Sequence, residues 1–154
     1  MFNPSSPVTG GAQTGFTAPT YSFVSDVAPD SNGKQVAITA LGGTQAGVTL
    51  HSVASPFTST FVRPRTFKVL GQPNPVSGRI ANVPRNTYKL LTRKGVTPLS
   101  GQPVVNAQMS TTIDIPAGSD LADPANLRAM LSAHIGMLTQ ISAELGNTVT
   151  TGIM

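Results

Sequence analysis

From Thr20 to Pro116 the apolar positions of the chain recur mostly at twos, and the runs are punctuated by Gly, Pro and Asn; from Leu127 onward they recur at threes and fours. The first spacing is that of half-buried strands and the second that of a helix. "TYSFVSDVAP" (20–29) and "QVAITAL" (35–41) are predicted as strands. Asn32-Gly33 between them is a hairpin signal, because both residues tolerate positive φ. "VTLHSVAS" (48–55) alternates. "FVRPRTFKVL" (61–70) reads as a strand broken at Pro64, which cannot donate to a ladder.

"RNTYKLLTRKGV" (85–96) sorts by parity into two faces. Tyr88, Leu90 and Thr92 share one side; Arg85, Thr87, Lys89, Leu91 and Arg93 share the other, with Leu91 the blemish. "VVNAQMSTTIDIP" (104–116) alternates more cleanly. Val105, Ala107, Met109, Thr111, Ile113 and Ile115 form its core face, and Asn106, Gln108, Ser110, Thr112 and Asp114 its polar face. Asp123-Pro124 then starts a helix, as an N-cap followed by Pro at the first helical position. Leu127, Met130, Leu131, Ile135, Leu138, Ile141 and Leu145 form its stripe. Gly136 offers a kink or division, and Gly146 an end. Strands first and helix last indicate an α+β fold. Residues 1–19, rich in Gly, Pro, Ser and Thr, read as an extension or arm, and 20–154 as one domain: hairpin 20–41, sheet 48–116, helical region 123–146.

Charge changes the picture. Only 10% of residues are charged, against roughly 25% in ordinary soluble domains. The helix is equally poor in charge, where a free monomer shows a charged outer face. Much of the surface is therefore expected to meet protein. The basic residues are also uneven: from Arg63 to Ile113 there are eight and no acid. Such a run is ordinarily a solvated face, but over so long a stretch of predicted sheet it favours a polyanionic partner.

Catalytic chemistry has little support. His51 and His134 stand apart from any second ligand at metal spacing. Asp114, Asp120 and Asp123 read as strand-end and helix-capping residues. "TGGAQTG" (9–15) lacks the Lys-Ser/Thr of a phosphate loop. With no cysteine, thiolate metal sites and disulfides are excluded. No cofactor, metal or small-molecule substrate is expected, and neither a signal peptide nor a membrane span. Physics alone points to sequence-tolerant nucleic-acid backbone binding by an oligomer; an enzyme fits least.

The N-T-Y-K strand, the T-x-D-I-P strand end, the D-P-A-N-L-R helix start and the T-T-G-I-M tail occur in an order and spacing that resemble the coat proteins of single-stranded RNA bacteriophages, the levivirus-like group. The resemblance implies an N-terminal hairpin, a five-stranded antiparallel sheet and one or two C-terminal helices, in an intertwined dimer whose helices lie over the partner's sheet. It implies self-assembly into an icosahedral shell in the bacterial cytoplasm, packaging of single-stranded viral RNA, and repression of replicase translation through an RNA hairpin. Carried over by position, the RNA-binding residues are Lys68, Arg85, Thr87, Lys89, Arg93, Gln108, Ser110 and Thr112. The dimer interface is Leu127, Met130, Leu131, Ile135 and Leu138, and the symmetry-axis loop holds Gly95, Pro98, Gly101 and Pro103. Gln108 or Ser110 stands where some members carry an aromatic that stacks on a base. The alternative is a dimeric nucleic-acid-binding regulator without a shell.

Overall fold

The computed structural model describes residues 2–154. Six antiparallel strands form one sheet in chain order: β1 (Val8–Thr9), β2 (Thr17–Asp26), β3 (Gly33–Thr44), β4 (Phe57–Val62), β5 (Arg85–Val96) and β6 (Val105–Pro116). Three helices follow: α1 (Ser119–Ala122), α2 (Pro124–Gln140) and α3 (Ser142–Thr151). The α+β reading and the C-terminal helices hold. The expected hairpin and separate five-stranded sheet are instead one sheet of six strands. The join is made where Gly33–Ala37 of β3 pairs with Thr58–Val62 of β4.

Two predicted strands move. Residues 48–55 form no strand: His51 donates its N–H to the Ile38 carbonyl, but Ser52 N–H turns back onto Ser55 within the segment. The strand expected over 61–70 runs from Phe57 to Val62. It stops before Pro64, and the irregular chain beyond is held by a side chain. Asn86 accepts the Lys68 N–H at 2.8 Å and donates to the Lys68 carbonyl at 3.0 Å, imitating a strand partner.

The helices break at Ile141 rather than at Gly136 or Gly146. Asp123 caps α2 as expected, accepting the Asn126 N–H at 3.3 Å. The Thr-rich end forms α3 all the same; the Thr150 and Thr151 hydroxyls, which could compete with the helical bonds, donate back to carbonyls at Gly146 and Asn147.

Residues 2–13 run against the sheet and reach the helices. Phe2 stacks on Phe61 with centroids 4.7 Å apart, and its carbonyl accepts from Lys34 at 3.2 Å. Val8 and Thr9 pair with Tyr21 and Thr20. Gln13 donates to the Ser142 carbonyl and hydroxyl at 2.8 and 2.9 Å.

Little of this chain is sealed. Among the described residues the buried apolar core is Ala37, Ile38 and Ala117, with Pro19 and Gly95 also buried, and no residue of α2 or α3 is buried. The accessible surface is 10848 Å².

A cationic sheet face opposite an apolar helix groove

Cross-strand register sorts the central strands into two surfaces. On one, Arg85, Thr87, Lys89, Leu91 and Arg93 of β5 stand opposite Pro116, Asp114, Thr112, Ser110 and Gln108 of β6. The expected β5 and β6 residues are thus brought together, cation beside neutral acceptor. Across β4 the same surface continues through Val62, Thr60 and Thr58. Leu91, the break in the alternation, lies between Thr60 and Ser110.

A hydrogen-bond chain crosses this surface: Thr60 donates to Gln35 at 2.8 Å, and Gln35 donates to Asp26 at 2.7 Å. Those bonds to the carboxylate, from Gln35 and then from the Val27 N–H, hold Asp26 below the usual carboxylate range. Arg85, Thr87, Lys89, Gln108, Ser110 and Thr112 are exposed and Arg93 is half-buried. Lys68 is not on a strand of this surface. It sits in the irregular chain beside Asn86, because β4 has already ended. Asp114, read as a strand-end residue, lies within β6 and accepts from Thr87.

The opposite surface carries Phe61, Tyr88, Leu90, Thr111 and Ile113, and α2 lies over it. Leu131, Ile135 and Leu138 line the groove between helix and sheet, and Met130 joins Leu131 nearer β6. The groove is loosely filled: Leu127, Leu131 and Leu138 are half-buried, while Met130 and Ile135 keep 47% and 60% of their surface. Lys94 points to this side. Its ammonium is 2.7 Å from the Thr49 hydroxyl and 5.0 Å above the Phe57 ring, and partial burial lowers its pKa. Burial likewise raises that of Tyr21, which packs edge-on to Phe57.

Gly95 belongs to β5 rather than to the loop after it; it is buried and pairs with Asn106. A side chain there would collide with Ser55 and Val104. The loop itself spans 97–104 and holds Pro98, Gly101 and Pro103, with Gly101 at φ 82° closing a turn.

Among the described residues no cluster of three or more His, Asp or Glu could hold a metal ion. His51 accepts the Phe57 N–H at Nδ1 (3.0 Å), a structural use of the ring, and His134 lines the helix groove. No helix among the described residues is long and apolar enough to cross a membrane.

No family model matches the chain. No curated protein matches it either. Among solved structures, it is similar to the virus-like particle of bacteriophage ESE020, with 55% identity, all of both chains covered and a TM-score of 0.97. The bacteriophage EMS014 coat protein is 20% identical over 85% of this chain and 72% of its own, with a TM-score of 0.45. The virus-like particle of Beihai levi-like virus 32 is 17% identical over 92% and 90%, with a TM-score of 0.42.

Proposed function

This chain belongs to the coat proteins of levivirus-like RNA bacteriophages, and we propose that this capsid protein pairs along β6 into an intertwined homodimer, which builds an icosahedral shell around single-stranded RNA. Surface area is the observation that carries the proposal. A folded monomer of 15.9 kDa should expose about 7400 Å²; this one exposes 10848 Å². The excess is about 3500 Å² per chain, more than the roughly 1000–2500 Å² that each partner of an obligate dimer buries. The remainder suits contacts between dimers.

The two sheet edges support pairing at one of them. β1 caps part of β2, whereas β6 presents 12 residues with no neighbour on its outer side. An open edge of that length is a template for a second chain. Pairing there would merge two cationic surfaces into one and carry Met130 and Ile135 toward the partner's sheet. Leu127, Leu131 and Leu138 would complete that interface, and Pro98, Gly101 and Pro103 would shape the loop at the symmetry axes.

Lys89 and Arg93 are assigned to RNA phosphates, with Arg85 and Thr87 beside them and Gln108, Ser110 and Thr112 as neutral hydrogen-bonding partners. The same surface would receive a replicase-start hairpin. The reading as a shell-less regulator gives way with the family assignment. In the experiment, Lys89→Ala and Arg93→Ala are combined. The double variant should still dimerise but package less RNA. The slope of log affinity against log salt should fall by about 1.4, at roughly 0.7 for each single-strand phosphate no longer neutralised. Unchanged RNA content and slope would refute the assignment.

A further inference from the structure

Within the facing rows of β5 and β6, one carboxylate stands on the cationic surface. Asp114 is paired in register with Thr87, and the next residues of β5 on that side are Arg85 and Lys89. All four are exposed. The Thr87 hydroxyl donates to Asp114 Oδ1 at 2.5 Å. Neither cation closes on the acid: among the described residues, the ion pair within 4.0 Å is Arg65–Asp30. The carboxylate is therefore oriented by a neutral donor, and on this exposed residue Oδ2 has no hydrogen-bond partner among the described residues.

For a surface that only binds phosphates, an acid in this place is unfavourable, since it repels every phosphate that approaches Arg85 or Lys89. The rest of the β6 row, Thr112, Ser110 and Gln108, is neutral. What a carboxylate does that those residues cannot is accept two parallel N–H bonds at once. Unpaired bases on single-stranded RNA expose their Watson–Crick edges. Guanine alone presents two adjacent donors there, N1–H and N2–H. Adenine and cytosine place an acceptor beside the amino group, and uracil flanks its one N–H with two carbonyls, so each brings a lone pair against the carboxylate.

We infer that Asp114, oriented by Thr87, binds the Watson–Crick edge of an unpaired guanine while Arg85 and Lys89 hold the phosphates on either side. The inference rests on the RNA-binding reading above. It makes Asp114 the specificity-determining residue of that surface and Thr87 its positioning residue.

The test measures binding of the full-length coat protein to short oligouridines whose central nucleotide is guanosine, adenosine, cytidine or uridine. The guanosine strand should bind about tenfold more tightly than the uridine strand, the order of discrimination a bidentate contact gives. Asp114→Asn should bring the four strands within about twofold of one another without weakening the all-uridine strand. Thr87→Val should reduce the guanosine preference, and Thr87→Ser, which keeps the hydroxyl, should restore it; a merely structural Thr87 would move affinity for all four strands alike. Equal binding of all four strands by the unaltered protein would overturn the inference and leave RNA binding standing, as would a guanosine preference that survives Asp114→Asn. Failure to bind any strand would overturn the RNA reading, and this inference with it.

Discussion

Ile135→Asp distinguishes a helix bathed in solvent from one awaiting a second chain. Ile135 keeps 60% of its surface in the single subunit. If no partner covers it, the aspartate meets water on the open side, and the cost is the loss of the remaining 40% burial against the sheet, about 0.6–1.2 kcal/mol, with a few tenths from helix propensity. If a partner covers it, the variant loses most of the gain from burying that surface. Full burial of an isoleucine contributes about 1.5–3 kcal/mol, so 60% of it is about 1–2 kcal/mol per site. Two sites per dimer bring this to roughly 2–4 kcal/mol, or about 30- to 800-fold in association. Burying an unpaired carboxylate adds several kcal/mol more at each site. The second case is the expected one. Sedimentation velocity of the purified variant should show dissociated or misassembled material in place of shells, and circular dichroism should show the helical signal of the parent wherever soluble protein remains. Ile135→Gln, with a small propensity change and no charge, should fall between the two. Shells of parental sedimentation coefficient and yield from Ile135→Asp would refute the reasoning, because they would place this helix face in solvent.

Lys94 has a pKa lowered by burial from its ordinary 10.5, so the folded state binds that proton less tightly than the unfolded chain does. Its penalty is complete below the folded pKa and disappears as pH rises through 10.5. Lys94→Met also gives up the Thr49 bond and the ammonium–ring contact, so the pH dependence is the readout: its urea midpoint relative to the parent should be highest at neutral pH and decline toward pH 10.5. Gly136 lies inside α2 with open space where a side chain would stand; Gly136→Ala should stabilise the subunit by about 0.5–1 kcal/mol in thermal melts, and a fall in melting temperature would place a partner's side chain against that position. Gln13→Ala removes both bonds to Ser142; residues 2–13 should then be cut faster in limited proteolysis while β5 and β6 stay protected.

Where the fold was legible in the sequence, local chemistry was sufficient. The β2–β3 hairpin lies where Asn32-Gly33 put it, although the connection is longer than a two-residue turn and neither residue takes positive φ: the Gly33 N–H donates to the Asp30 carbonyl at 3.0 Å and Gly33 already belongs to β3. The parity of 85–96 and 105–116 separates the cationic side from the apolar one, and Asp123-Pro124 starts α2. Where it was not, distant partners decided. Val8–Thr9 has no periodicity and becomes a strand only against Tyr21 and Thr20. Residues 48–55 alternate convincingly, yet their hydrogen bonds go to Ile38 and back into their own turn. Lys68 has the neighbours of a strand residue, and nothing local marks Asn86, eighteen positions on, as the group that ties it down. The break at Ile141 has no local signal, because Gly136 and Gly146, the residues of lowest helix propensity, both sit inside helices. Parity places Asp114 on the polar face, but its use by Thr87 needs the register.

The bond between Gln13 and Ser142 spans 129 positions. During synthesis at about 5–20 residues per second, Gln13 waits roughly 6–26 s for its acceptor to be made. A chain that stops before Ser142 keeps Phe2 on Phe61 and β1 on β2, but Gln13 has nothing to fasten to. Closing this clasp is therefore one of the last steps of the subunit's folding, because it joins the chain's beginning to a helix made near its end.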